Sequence, residues 1–229
     1  MYKCDNSAER KSSFSNLHIL PDFDNSEVRV CFSAQEDINS VLVQVSNGMS
    51  IIAQENVLLC SRNASCKFKL ESFVPWTVDN PFLYEVLFFV NLESACSLRQ
   101  KFGMVKIRAD KTSIYVNDNK FYVRGCIRGR EAHDHQNFYD LPLTEFYSKY
   151  IILAKQHGFN LIRFHSRIPP EECLMEADRL GMFIHVELRK YYGKYQKERN
   201  MMNDEGALVD EELWEGIILK LRNHPCIFS

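Results

Sequence analysis

Up to about Val105, apolar residues recur at every second position. Val28, Val30 and Phe32 alternate with polar neighbours, as do Val41, Val43 and Val45, and then Cys66, Phe68 and Leu70. A period of two turns one face of an extended chain toward a core and the other toward solvent. Leu83 to Leu92 and Leu98 to Val105 read as two longer strands, and turn-forming clusters such as Ser46-Asn47-Gly48 separate the runs. Short strands at regular spacing, with no helical pattern between them, predict an antiparallel β-sandwich over residues 1–105.

Beyond Asp110 the period lengthens. Ser113 to Val116, Asn117-Asp118-Asn119 and Lys120 to Val123 predict a hairpin leading into a buried strand that ends near Cys126. Phe146, Tyr150, Ile151, Leu153, Ala154 and His157 then fall at helical spacing, with Gly158 as the stop. Asn160 to Leu188 holds two short apolar strands around one helix. Pro169 and Pro170 open that helix, where a missing N–H costs nothing, and Glu171 and Glu172 favour its first turn. Cys173, Leu174, Ala177 and Leu180 form the buried stripe, and Gly181 closes it. A further helix places Leu213, Trp214, Ile217 and Leu221 on one face. Asn223-His224-Pro225 ends it, and Cys226, Ile227 and Phe228 begin a fourth strand.

Strands alternating with helices imply parallel pairing, with the strand C-termini facing a ligand. Residues 106–229 therefore predict the first half of a (β/α)8 barrel, or part of an open α/β sheet. No Gly-rich loop follows any strand, which disfavours a dinucleotide or P-loop site. Half a barrel leaves its last strand unpaired, so the chain is expected to be a fragment cut inside a catalytic domain. The residues that end the strands are the candidate site: Arg163, His165 and Ser166 after one, Glu187 after the next.

Composition narrows the function. Net charge is −2 over 229 residues, with basic and acidic residues interspersed, which argues against nucleic acid or an anionic membrane as partner. No apolar run has the length of a membrane span, and Met1 opens a polar segment rather than a signal peptide. Cys31, Cys126, Cys173 and Cys226 sit inside apolar patterns, as small hydrophobes do in a reducing compartment, so a cytoplasmic location is expected. Cys60 and Cys66 flank a turn and are the one pair placed for a disulfide. No Cys/His spacing fits a zinc site, and no cofactor is called for. His133, Asp134 and His135, and the aromatic Tyr191, Tyr192 and Tyr195, lie in loops that follow strands. They read either as cleft lining or as plain surface.

Six segments in order resemble glycoside hydrolase family 2, the family of β-galactosidases, β-glucuronidases and β-mannosidases. They are Trp76-Thr77-Val78-Asp79-Asn80-Pro81-Phe82-Leu83-Tyr84, Phe102-Gly103-Met104-Val105-Lys106-Ile107, and Val116-Asn117-Asp118-Asn119-Lys120 through Arg124-Gly125. Gly158-Phe159-Asn160-Leu161-Ile162-Arg163, Ala177-Asp178-Arg179-Leu180-Gly181 and Asn223-His224-Pro225 complete the series. The resemblance implies an immunoglobulin-like sandwich followed by a TIM barrel, and retaining hydrolysis of a β-glycoside, galactoside first. In that chemistry one glutamic acid protonates the leaving oxygen while a second carboxylate, roughly 5 Å away, attacks the anomeric carbon. The resemblance places both catalytic carboxylates beyond Ser229, so residues 1–229 alone are expected to be inert. It makes Arg163 a guanidinium that holds the active-site glutamates, with an ion pair to Glu187 as the plainer alternative. His165 is either a donor to a sugar hydroxyl or a core histidine, and Glu187 orients a sugar or Arg163. Ile127 and Gly129 stand where the family commonly has Asn and His, and His165 lies two residues beyond Arg163 where galactosidases often have three. These departures leave a non-catalytic carbohydrate-binding or scaffold homologue as the alternative. Nothing in the residues indicates an oligomeric state.

Overall fold

The computed structural model describes residues 13–91, 93–128, 141–165, 167–187 and 211–228. His133, Asp134, His135, Ser166, Tyr191, Tyr192, Tyr195 and the side chain of Trp214 fall outside these described residues.

Seven strands build the first layer pair: β1 (Phe14–Asp22), β2 (Glu27–Ala34), β3 (Ser40–Ser46), β4 (Ile51–Leu58), β5 (Asn63–Lys69), β6 (Tyr84–Val90) and β7 (Leu98–Phe102). They form two antiparallel sheets, ordered β1-β2-β5 and β4-β3-β6-β7. The alternating residues of β2 and β3 close one core between the sheets. Val28, Val30, Val41, Val43 and Val45 are all fully buried there. Phe14, Phe32 and Phe88 fill the middle, Phe88 lying 5.2 Å from Phe32 in an edge-to-face contact. β-branched and aromatic residues suit such half-buried pleated surfaces, and each buried side chain is worth roughly 1.5–3 kcal/mol of transfer free energy.

Two strands of this set carry no alternation in the sequence. β4 is an edge strand whose residues are mostly exposed, and β1 is interrupted by a register shift between Ser15 and His18. The two later runs are shorter than their apolar patterns, 84–90 rather than 83–92 and 98–102 rather than 98–105.

A small antiparallel sheet follows, of β8 (Ile107–Ala109), β9 (Ile114–Val116) and β10 (Asn119–Phe121). The β9–β10 turn places Asn117 and Asp118 at positive φ, 51° and 62°, which Asn and Asp tolerate better than most residues. The strand expected to end near Cys126 instead begins at Gly125. It is β11 (Gly125–Arg128), and its Gly125 and Ile127 are exposed rather than buried.

β11, β12 (Leu161–Phe164) and β13 (Phe183–Val186) form a parallel sheet in that order. Ile227 bridges Ile184 in parallel, at the place expected for a fourth strand. Helices α1 (Leu143–Gln156), α2 (Glu171–Leu180) and α3 (Glu211–Leu221) alternate with the strands. α1 buries Phe146, Tyr147, Ile151 and Ala154. Leu153 and His157, expected on its buried stripe, are exposed. α2 buries Cys173, Leu174 and Ala177 and ends at Gly181, whose φ of 75° is the left-handed conformation of a helix stop. No helix among the described residues is long and apolar enough to cross a membrane. Cys60 and Cys66 are free thiols, as are Cys31 and Cys126. The latter two are half-buried, whereas Cys66, Cys173 and Cys226 are buried as expected.

The two cores meet through Trp76. This residue precedes β6, yet its ring packs with the second core, edge-to-face on Phe183 at 5.1 Å. Its indole N–H donates to the Asp178 carbonyl at 2.8 Å.

Candidate functional site

Parallel register decides which side chains share the strand ends. Ile127, Arg163 and His185 are directly paired across β11, β12 and β13, so the three project from one face in a single rung. Just beyond the strands, the Arg163 guanidinium donates to Glu187 at 2.8 Å, and His165 Nε2 lies 4.0 Å from the same carboxylate oxygen. Three of the four site residues expected from the sequence, Arg163, His165 and Glu187, are thus brought together at one rim, the fourth, Ser166, lying outside the described residues.

Their exposures separate the alternatives. The Arg163 and Glu187 side chains are each about one-third exposed, at 38% and 33%, and the His165 side chain is 51% exposed. A half-exposed ring is not a core histidine. Its backbone N–H donates to the Arg128 carbonyl at 2.9 Å, which fixes the chain while leaving the imidazole at the rim. An ion pair this open contributes at most about 1 kcal/mol to stability, so its consequence is orientation rather than folding. The backbone of Glu187 is also held by an antiparallel bridge to Arg167.

Two residues that the sequence reading passed over belong to the same strands. His185 Nδ1 is buried with no hydrogen-bond partner among the described residues, beside Arg163 in the rung. Strand alternation from Phe183 would have placed it there. Arg128 is 3% exposed and turns to the opposite face, where its guanidinium lies over the rings of Tyr150, Phe146 and Tyr147 at 4.3, 4.9 and 5.4 Å. Stacking on aromatic faces is how a weakly hydrated guanidinium tolerates burial. No linear motif announces that arrangement, because the rings come from α1.

One group of metal-capable atoms occurs among the described residues. Asp178, His224 and Cys226 are buried, with their donor atoms within 4.8 Å of one another. Hydrogen bonds already use them. Asp178 accepts from His224 Nδ1 at 2.6 Å and from the Cys226 N–H at 3.0 Å, and the Cys226 thiol donates to the Leu174 carbonyl at 3.7 Å. Burial pushes the Cys226 thiol well above its ordinary range, which opposes the thiolate a metal would need. The group is a hydrogen-bonded network.

A β-sandwich feeding parallel strands with a charged rim is a fold shared with glycoside hydrolases of family 2. The structure superposes on Bacteroides uniformis β-glucuronidase 3 with a TM-score of 0.71 at 17% identity, over 94% of this chain and 27% of that one. It matches Parabacteroides merdae β-glucuronidase at 0.70 and 20% identity, over 94% and 28%. An Eisenbergiella tayi family 2 β-galacturonidase bound to galacturonate matches at 0.69 and 21% identity, over 94% and 39%. In sequence, the chain is 25% identical over 219 residues to a β-galactosidase of Thermoanaerobacter pseudethanolicus, covering 93% of this chain and 25% of the relative. It is likewise 25% identical over 198 residues to a β-galactosidase of Thermoanaerobacterium thermosulfurigenes, covering 82% and 26%. No family model matches. The chain spans about a quarter of the length of these curated relatives.

Proposed function

We propose that this chain is the N-terminal part of a retaining β-glycosidase of the family 2 type, with an immunoglobulin-like sandwich over residues 1–105 and the first half of a TIM barrel over 106–229. The observation that supports it most is the pairing of Arg163 with Glu187, beside His165, at the C-terminal rim of parallel strands. That is where barrel enzymes bind their substrates. In this reading the three are positioning and sugar-binding residues. Arg163 holds carboxylates in place, and Glu187 and His165 meet sugar hydroxyls. The acid/base and nucleophile are supplied by chain beyond Ser229, at the separation of roughly 5 Å that retention requires. A terminal β-galactoside is the substrate of first choice, since both sequence relatives are β-galactosidases.

A polypeptide that continues past Ser229 through an Asn-Glu pair should hydrolyse 4-nitrophenyl β-galactoside with retained anomeric configuration by NMR. Residues 1–229 alone should not. Turnover by residues 1–229 alone overturns the placement of the catalytic groups. Lack of turnover by the extended polypeptide, with galactose still bound in calorimetry, favours the second reading, a binding homologue. The exposed Ile127 is the observation on that side, because an apolar side chain in the Arg163 rung offers a sugar no hydrogen bond.

A further inference from the structure

His224 lies between two carboxylates. Its Nδ1 is 2.6 Å from Asp178 and its Nε2 is 3.3 Å from Glu171, both on α2, and its own side chain is 5% exposed. A neutral imidazole has one N–H and can donate to only one of them, whereas an imidazolium donates to both. The residues just before it grip the sandwich. The Asn223 side chain accepts the Ile19 N–H at 2.9 Å and donates to the Leu17 carbonyl at 3.0 Å. Arg222 donates twice to the same carbonyl, at 3.2 and 2.8 Å. The bonds to Leu17 fall on β1 where its register with β2 shifts, and the Ile19 bond lies just past that shift. Three consecutive residues therefore tie β1 to α2, and the last of them carries the proton.

We propose that Glu171, His224 and Asp178 form a protonation-controlled clamp that sets how firmly the sandwich is held against the parallel-strand layer. Proton access is available, because His224, Glu171, Lys220, Arg222 and Asn223 line a cleft of about 330 Å³ with β1 and β7. Burial disfavours the charged ring, but Asp178 and Glu171 outweigh it and raise its pKa. A pKa raised on folding gives stability that is complete below the unfolded value, about 6.5, and is lost as pH rises through the folded value. Cys226 and His18, which lie beside the clamp with the charged Lys220 and Arg222 side chains, do not reproduce that sign. Burial pushes the Cys226 thiol well above its ordinary range and keeps it protonated. Burial, then Arg222, lowers the pKa of His18 on β1, so its contribution is lost as pH falls instead.

Hydrogen exchange of the Ile19 amide reads the clamp directly, with the Val43 amide in β3 as a control remote from it. In the intact chain the Ile19 protection factor should fall about tenfold between about pH 6 and about pH 8.5, while that of Val43 stays within about twofold. Glu171→Gln removes the half-exposed partner and should move the midpoint of the Ile19 fall lower by about one pH unit. Flat protection at Ile19, an equal fall at Val43, or a midpoint that Glu171→Gln leaves unmoved or raises would each overturn the proposal.

Discussion

At the scale of single residues, the seam between the two layers is set by contacts too close to admit alternatives. A Cβ on Gly181 would stand 2.3 Å from the Val78 carbonyl oxygen, and the residue already holds a φ of 75°. Lys155 seals the same place, its ammonium donating to the carbonyls of Val78, Leu180 and Gly181. Gly181→Ala therefore meets a left-handed backbone and a backbone clash together. It should cost roughly 3 kcal/mol in urea unfolding, whereas a glycine serving only as a helix stop would cost about 1. The sequence made Gly181 legible as a stop, from its place after Leu180. It could not show Val78 overhead, because that contact spans about a hundred positions and follows no period. Arg163 and Glu187 were legible in the same limited way, as strand ends whose pairing depended on register.

At the scale of elements, legibility followed burial on one face. β2, β3 and β5 each bury alternate residues and were readable from that alone, whereas β6, which buries Val86, Leu87 and Phe88 in succession, was readable as a continuous apolar run. β4 escaped because it is an exposed edge, and β11 was misplaced because its two outward residues face open space. The β9–β10 hairpin was readable from Asn117-Asp118-Asn119, but the further task of Asn117 was not. Its amide is buried, accepts the Lys106 N–H and donates to the Trp76 carbonyl, both at 2.9 Å. Turn and seam therefore share one side chain. Asn117→Gly keeps the positive φ but strands two backbone groups, and should cost about 2 kcal/mol. Asn117→Ala adds backbone strain and should cost about 3 kcal/mol. Equal losses for the two variants, measured by chemical unfolding, would show that the turn conformation contributes nothing.

At the scale of the molecule, the two layers do not have separable cores. Trp76 belongs by sequence to the sandwich, yet it is fully buried in the second core against Phe183, with its N–H on Asp178. Gly103 reinforces the arrangement, since a Cβ there would meet both Trp76 and Pro225 at 2.8 Å. A sandwich that donates its largest side chain to its neighbour cannot be trimmed at residue 105 without opening the other layer. Trp76→Ala tests this. Removing a fully buried indole should cost about 3–5 kcal/mol. The loss should be unequal, because the vacated volume borders β13 and α2 rather than the β2–β3 core. Hydrogen exchange should accelerate at Ile162 and Ile184, while Val30 and Val43 keep most of their protection. A uniform loss across both layers would mean that they unfold as one cooperative unit. Selective loss in the sandwich would contradict the packing of Trp76. The expected pattern makes the sandwich a structural prop for the strands that carry Arg163 and Glu187, so that a change far from the rim would disorder it.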